Sequence, residues 1–217
     1  PLGEDSTRTM AAALNGTWVD RYENRGKRSG AYSSGCYDSP PYILLNYEAG
    51  NINSLYTLIH EAGHSMHSHY ACRHQPYVYH GYTIFVAEVA STFNETLLSA
   101  HLMARYRDDP RMRAYLLNRE IDNIRATLFR QTMFAEFELA LYEAAERGEA
   151  LSGDRITEIY GDILRRYHGH DEGIVIIDDL YTNEWMFIPH FYFNMYVYQY
   201  ATSKTAGTAL YSKIVQE

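Results

Sequence analysis

The chain has 217 residues, 46% hydrophobic and 21% charged, enough to bury a substantial core. Its net charge of −8 argues against a sequence-independent nucleic-acid surface, and no apolar run approaches the roughly 18 residues of a membrane span. The start carries no signal-peptide pattern, and two cysteines, Cys36 and Cys72, make no disulfide framework, so a reducing, cytoplasmic setting is expected.

Thr7, Met10, Leu14 and Trp18 recur at helical steps and predict a helix from about Ser6 to Tyr22. Arg25 to Ser39 reads as a loop rich in Gly, Ser and Tyr. Pro40-Pro41 then introduce Tyr42 to Tyr47, the best strand candidate, which ends before Gly50. A helix follows from about Ser54 to Tyr70, then a tyrosine-rich turn around Pro76 and a second helix from about Thr83 to Arg107. A long helix is expected from Arg111 to Arg147, with Ile121, Ile124, Leu128, Phe134, Phe137 and Leu141 on one stripe. Ser152-Gly153-Asp154 ends it, another helix spans Arg155 to Tyr167, and residues 168–173 form a polar glycine loop. An aromatic helix is predicted from Pro189 onward. With no repeat or clear linker, residues 1–217 read as one mainly α domain with a little sheet. The opening Pro1-Leu2-Gly3 and the close in mid-helical pattern suggest a piece of a longer chain.

The run His60-Glu61-Ala62-Gly63-His64 carries the chemistry. On a helix, residues i and i+4 share a face, so His60 and His64 can hold one metal ion through neutral ring nitrogens. Glu61 lies one step round, placed to take a proton from the attacking water. Leu55, Leu58, Ile59, Ala62 and Met66 supply the apolar stripe of such a helix. Gly63 opposes helix formation, which is sensible only where another backbone or a substrate comes close. A catalytic zinc wants a third protein ligand. His67 lies seven residues from His60, about 10.5 Å along the axis, too far for one ion to bind both. Glu88 and Glu95 are also seven apart on the next helix, so one can bind the metal and the other orient a histidine; spacing does not choose. Tyr is 21 of the 217 residues, a surplus that suits a partly dry, hydrogen-bonding peptide groove as well as packing between helices. His190, Tyr192, Tyr196, Tyr198 and Tyr200 offer donors to an oxyanion, the i+4 spacing of Tyr192, Tyr196 and Tyr200 implying one helical face. The strand at Tyr42 to Tyr47 is a candidate for pairing with an extended peptide.

The stretch Phe85 to Glu95, following His60–His64, resembles oligoendopeptidase F and thimet oligopeptidase. So do residues 28–32 (Arg-Ser-Gly-Ala-Tyr), 41–47 (Pro-Tyr-Ile-Leu-Leu-Asn-Tyr), 129–138 (Phe-Arg-Gln-Thr-Met-Phe-Ala-Glu-Phe-Glu) and 189–192 (Pro-His-Phe-Tyr). The resemblance implies a mostly helical, zincin-type catalytic domain with a small β element near the active site. It implies one Zn²⁺ per chain, with Glu88 as third ligand and Glu95 supporting the ligands from outside that set. It also implies a histidine and one or two tyrosines over the substrate, best matched by His190, Tyr196 and Tyr200. Short peptides are the implied substrates, and the rest of a longer parent peptidase is expected beyond this chain. The competing reading is a catalytically incomplete fragment that binds peptide or serves a structural role.

Overall fold

The computed structural model describes residues 2–216, which form two compact units: residues 2–120 with 202–216, and residues 121–201. The architecture is mainly α with a small sheet, as expected, and no helix is long and apolar enough to cross a membrane.

In the first unit, α1 (Gly3–Asn15) stops at Gly16, short of the predicted Tyr22, and Trp18 leads into β1 (Val19–Asp20) instead. The expected loop before Ser39 contains β2 (Tyr32–Ser34), and β3 (Tyr42–Leu44) follows. Strand order is β1-β3-β2: β3 runs parallel to β1, with Val19 opposite Ile43, and antiparallel to β2, with Ser33 opposite Ile43. Both edges of β3 are therefore used. The proposed pairing of a peptide with Tyr42 to Tyr47 is overturned on this ground, and among the described residues the sheet's open edges are the outer ones of β1 and β2.

Below the sheet lies α2 (Ile52–His74), capped by the Asn51 side chain, which accepts from the Asn53 N–H at 2.9 Å. Ile43, Leu45 and Ala62 are buried together, with Met10, Val19, Ala31 and Leu58 around them, so the apolar stripe of α2 faces the sheet. A single 3₁₀ turn at Tyr77–Tyr79 leads to α3 (Ile84–Arg105), which packs against α2. Gly63 explains the closeness: a Cβ there would lie 2.7 Å from Ser91 Cα and 2.8 Å from Ala90 O. The close backbone anticipated from Gly63 is α3. Tyr56, Leu102 and Leu116 close the far end of the pair. Residues 202–216, in α7 (Tyr198–Gln216), lie on α3, where Ser203 Oγ donates to Phe85 O at 3.0 Å.

The stretch from Pro110 to Glu146 is helical throughout, as α4 (Pro110–Ile124), a π segment at Arg125–Phe129 and α5 (Arg130–Glu146). The π turn inserts an extra residue per turn and rotates α5 about the helix axis relative to α4. Consequently the expected single stripe divides: Phe134 and Phe137 are buried, while Ile121 and Ile124 are exposed.

The core of the second unit joins α5 to α6 (Gly153–His168) through Met133, Phe134, Phe137, Tyr160, Ile163, Leu164 and Val197. Ser152 caps α6 by accepting from the Arg155 N–H at 3.2 Å, and Gly169, at φ +61°, ends it in the left-handed conformation. The Tyr160 hydroxyl, in this core, donates to Glu184 Oε2 at 2.6 Å, and Arg130 pairs with the same carboxylate. Two 3₁₀ segments, Asp179–Phe187 and Pro189–Tyr192, precede α7. The aromatic helix predicted from Pro189 is thus interrupted, because Met195 adopts φ +51° and α7 begins at Tyr198.

Candidate metal centre

Two turns of α2 and one of α3 bring three donor atoms together. His60 Nε2, His64 Nε2 and Glu88 Oε2 form a triangle with edges of 3.2, 3.3 and 3.5 Å. A tetrahedral ion with bonds of about 2.0–2.1 Å sets its ligand atoms about 3.3 Å apart. The residues fit a divalent metal with one face left open, and two imidazoles with one carboxylate are a donor set that zinc accepts. His67, too far along α2 to share the ion, instead stacks on Tyr82 at 3.8 Å between ring centroids.

The two candidate carboxylates separate by the ring nitrogen each one meets. Glu88 approaches His60 Nε2 on the triangle, whereas Glu95 Oε1 lies 2.6 Å from His60 Nδ1, on the far side of the ring. Glu88 is buried and accepts a hydrogen bond from Ser91 Oγ at 2.9 Å. Burial works against charge at both His60 and Glu88, but their mutual hydrogen bonds outweigh it. The contacts to Glu88 and Glu95 raise the His60 pKa to about 10, and His60 and His64 hold the Glu88 carboxyl far below its ordinary value.

Glu61 is also buried, on the β2 side of α2. Burial, with the Glu88 charge adding to it, holds the Glu61 pKa above its ordinary value, against the pull of His60, His64 and a hydrogen bond from the Ser33 backbone. Ser33 further joins α2 through its hydroxyl, 2.7 Å from Ser65 Oγ. Ile43, opposite Ser33, donates its N–H to Trp18 O, so the backbone groups of Ser33 face the open edge of β2. Sequence reasoning did not single out Ser33, although it lies next to the quoted stretch 28–32. Past β2 the chain lines a cavity of about 560 Å³ walled by Trp18, Tyr37, His69, Arg73 and Tyr82. Part of the tyrosine surplus does line a groove.

In the second unit, His190 lies in the 3₁₀ turn, with ring centroids 5.4 Å from Tyr196 and 6.1 Å from Tyr200. Tyr196 and Tyr200 are 5.6 Å apart, and their hydroxyls 3.4 Å. Tyr192 stands outside this cluster, 77% exposed, because the turn at Met195 breaks the helical face expected for Tyr192, Tyr196 and Tyr200.

A mostly helical fold around a His-Glu-x-x-His helix, with the third donor from the next helix, marks a class of hydrolase-like metal centres. Within it, the description peptidase family M3 matches residues 5–217, and the chain belongs to that family. The sequence is 50% identical to oligopeptidase PepF of Bacillus subtilis over 100% of the chain and 32% of that relative. It is 44% identical to the plasmid oligoendopeptidase F of Lactococcus lactis subsp. cremoris, over 99% of the chain and 35% of the relative. The chain therefore spans about a third of the length of these relatives. Among solved structures, a putative peptidase from Chlamydophila abortus superposes with TM-score 0.79 at 44% identity, covering 100% of this chain and 36% of that one. Oligoendopeptidase-F from Enterococcus faecium gives 0.62 at 41%, covering 76% and 29%.

Proposed function

We propose that this chain is the catalytic part of a zinc-dependent oligopeptidase that hydrolyses short peptides. The observation that carries the reading is the donor triangle of His60, His64 and Glu88, with the buried Glu61 carboxyl electrostatically coupled to all three. A zinc ion held by those three residues supplies Lewis acidity, polarising a scissile carbonyl and lowering the pKa of water toward neutrality.

The chain's own residues do the rest. Glu61, oriented by the Ser33 N–H, takes the proton of the attacking water and later delivers it to the leaving amine. Glu95 holds His60 in one tautomer through Nδ1. The open edge of β2 receives an extended peptide as an added strand, with the Ser33 carbonyl among its acceptors. His190, with Tyr196 and Tyr200, donates to the oxyanion as charge develops. PepF and oligoendopeptidase F, the names of the relatives, agree with a peptide substrate.

The test is Glu61→Gln in the natural protein that carries this chain, with bound metal measured alongside cleavage of quenched peptides. Zinc should remain and turnover should fall to background, because the amide cannot accept the proton at neutral pH. Zinc lost together with activity would assign Glu61 to holding the helix pair rather than to chemistry.

A further inference from the structure

The stretch 129–138, matched to the family at the level of sequence, supplies nothing to the metal triangle, yet it ends in a buried carboxylate. Glu138, on α5, is 4% exposed, and its Oε1 accepts the Met195 N–H at 2.9 Å. Met195 is the one residue other than glycine with positive φ among the described residues. A side chain in the left-handed region crowds its own backbone, so the conformation persists only where surrounding contacts impose it.

Here they do so from both sides of the residue. The Gln199 side-chain amide donates to Met195 O at 3.1 Å, while Glu138 holds the N–H. One helical turn along α5, the Tyr142 hydroxyl donates to the side chain of Asn194. One turn back, Phe134 and Phe137 enclose the Phe191 ring at 5.2 and 5.1 Å. A single face of α5 therefore grips residues 191, 194 and 195, and the turn so fixed carries Tyr196 back beside His190.

We infer that Glu138 is a positioning residue: by holding Met195 in its left-handed turn it sets Tyr196 and Tyr200 against His190. The inference rests on the reading of that cluster as the oxyanion donors. Glu138 touches no substrate and transfers no proton; it acts through the backbone of residue 195.

The experiment is steady-state kinetics on the natural protein, with bound zinc measured for each variant. Glu138→Leu removes the acceptor, and kcat should fall roughly 10²-fold, the loss expected when a catalytic group is misplaced by about 1 Å, with KM and zinc content kept. Glu138→Gln retains an oxygen acceptor and should restore most of that loss. Met195→Gly, added to Glu138→Leu, should recover at least tenfold, since glycine takes positive φ freely. A Gln variant as impaired as Leu, or a double variant with no recovery, overturns the role. Should Glu138→Leu fail to fold, Met195→Val decides instead: kcat should fall at least tenfold with KM held, and unchanged kcat refutes the inference. His190→Ala and Tyr196→Phe are run in parallel. If they lower kcat while Glu138→Leu does not, only the positioning role is lost; if they are silent, the reading of the cluster fails and the inference falls with it.

Discussion

Gly63→Ala tests whether the α2–α3 contact sets the metal centre. The added Cβ would lie 2.7 Å from Ser91 Cα, 2.8 Å from Ala90 O and 3.0 Å from Ala90 C. Ordinary carbon contacts are about 3.5–4.0 Å, so the helices must part by about 1 Å. All three atoms belong to the backbone, and no rotamer change relieves them. Overpacking of this kind costs up to about 3 kcal/mol, while the better helix propensity of alanine returns about 1 kcal/mol. The net loss of about 2 kcal/mol corresponds to a drop in Tm of roughly 4–8 °C for a domain of this size. Ser91 also donates to Glu88 Oε2, so pushing Ser91 away carries Glu88 with it and opens the triangle. Zinc affinity should fall roughly 10–100-fold, the range seen when the supports of a ligand are disturbed. The measurements are zinc titration against a competing chelator and thermal unfolding with and without metal. Gly153→Ala, where a Cβ meets open space, is the control. A Gly63→Ala protein that melts higher and binds zinc normally would show helix propensity acting alone and refute the argument.

Glu88→Ala should strip the zinc, whereas Glu95→Ala should weaken affinity only about 10–100-fold, both read by metal analysis after dialysis; the reverse order would move the ligand assignment to Glu95. Tyr200→Phe should lower kcat and kcat/KM together by roughly 10²–10³ with KM and zinc unchanged, and Tyr196→Phe is its comparison; normal turnover in the first and loss in the second would transfer the oxyanion role to Tyr196. In the second unit, burial raises the Glu184 pKa, but hydrogen bonds from Arg130 and Tyr160 outweigh it and leave it below its ordinary value of 4.5. That carboxylate contributes stability above about pH 4.5, lost as pH falls through the lower folded value, so Glu184→Gln should cost about 1–3 kcal/mol at neutral pH and flatten the acid limb of a urea-unfolding series.

What the sequence reveals here depends on how local the determining physics is. The motif helix is legible because its apolar stripe, its two histidines and Glu61 all obey one period, and α2 extends only two to four residues past the predicted ends. The oligopeptidase resemblance is legible because its motifs are spread over the whole chain, as the match to residues 5–217 shows. β2 is hidden because three residues in a Gly/Ser-rich stretch carry no alternation; only pairing with β3 makes them a strand. The aromatic tail misleads for the opposite reason. Tyr192, Tyr196 and Tyr200 keep a perfect helical interval, yet a left-handed residue held by a side chain 57 positions earlier breaks it. The stripe from Ile121 to Leu141 fails likewise, since a π turn changes the period without any proline or glycine to announce it.

The choice between Glu88 and Glu95 shows what three dimensions add to a spacing rule. Both glutamates lie on one face of α3, seven residues apart, and both reach the same imidazole. Distance along the helix excludes their sharing one ion but cannot rank them. The ring does, because its two nitrogens are not equivalent. Nδ1 lies 2.6 Å from Glu95 Oε1, whereas Nε2 lies 3.2 Å from His64 Nε2 and 3.3 Å from Glu88 Oε2; in the proposed metal-bound form Nδ1 keeps the proton for Glu95 and Nε2 gives up its own to bind the ion. Were the roles exchanged, the nitrogen on the triangle would carry the proton and could not bind a metal. In the proposed site Glu95 thus decides which nitrogen is available, and Glu88 completes the set that uses it. On that proposal, the spacing that made the two look interchangeable is what lets one helix supply both a ligand and the group that prepares its partner.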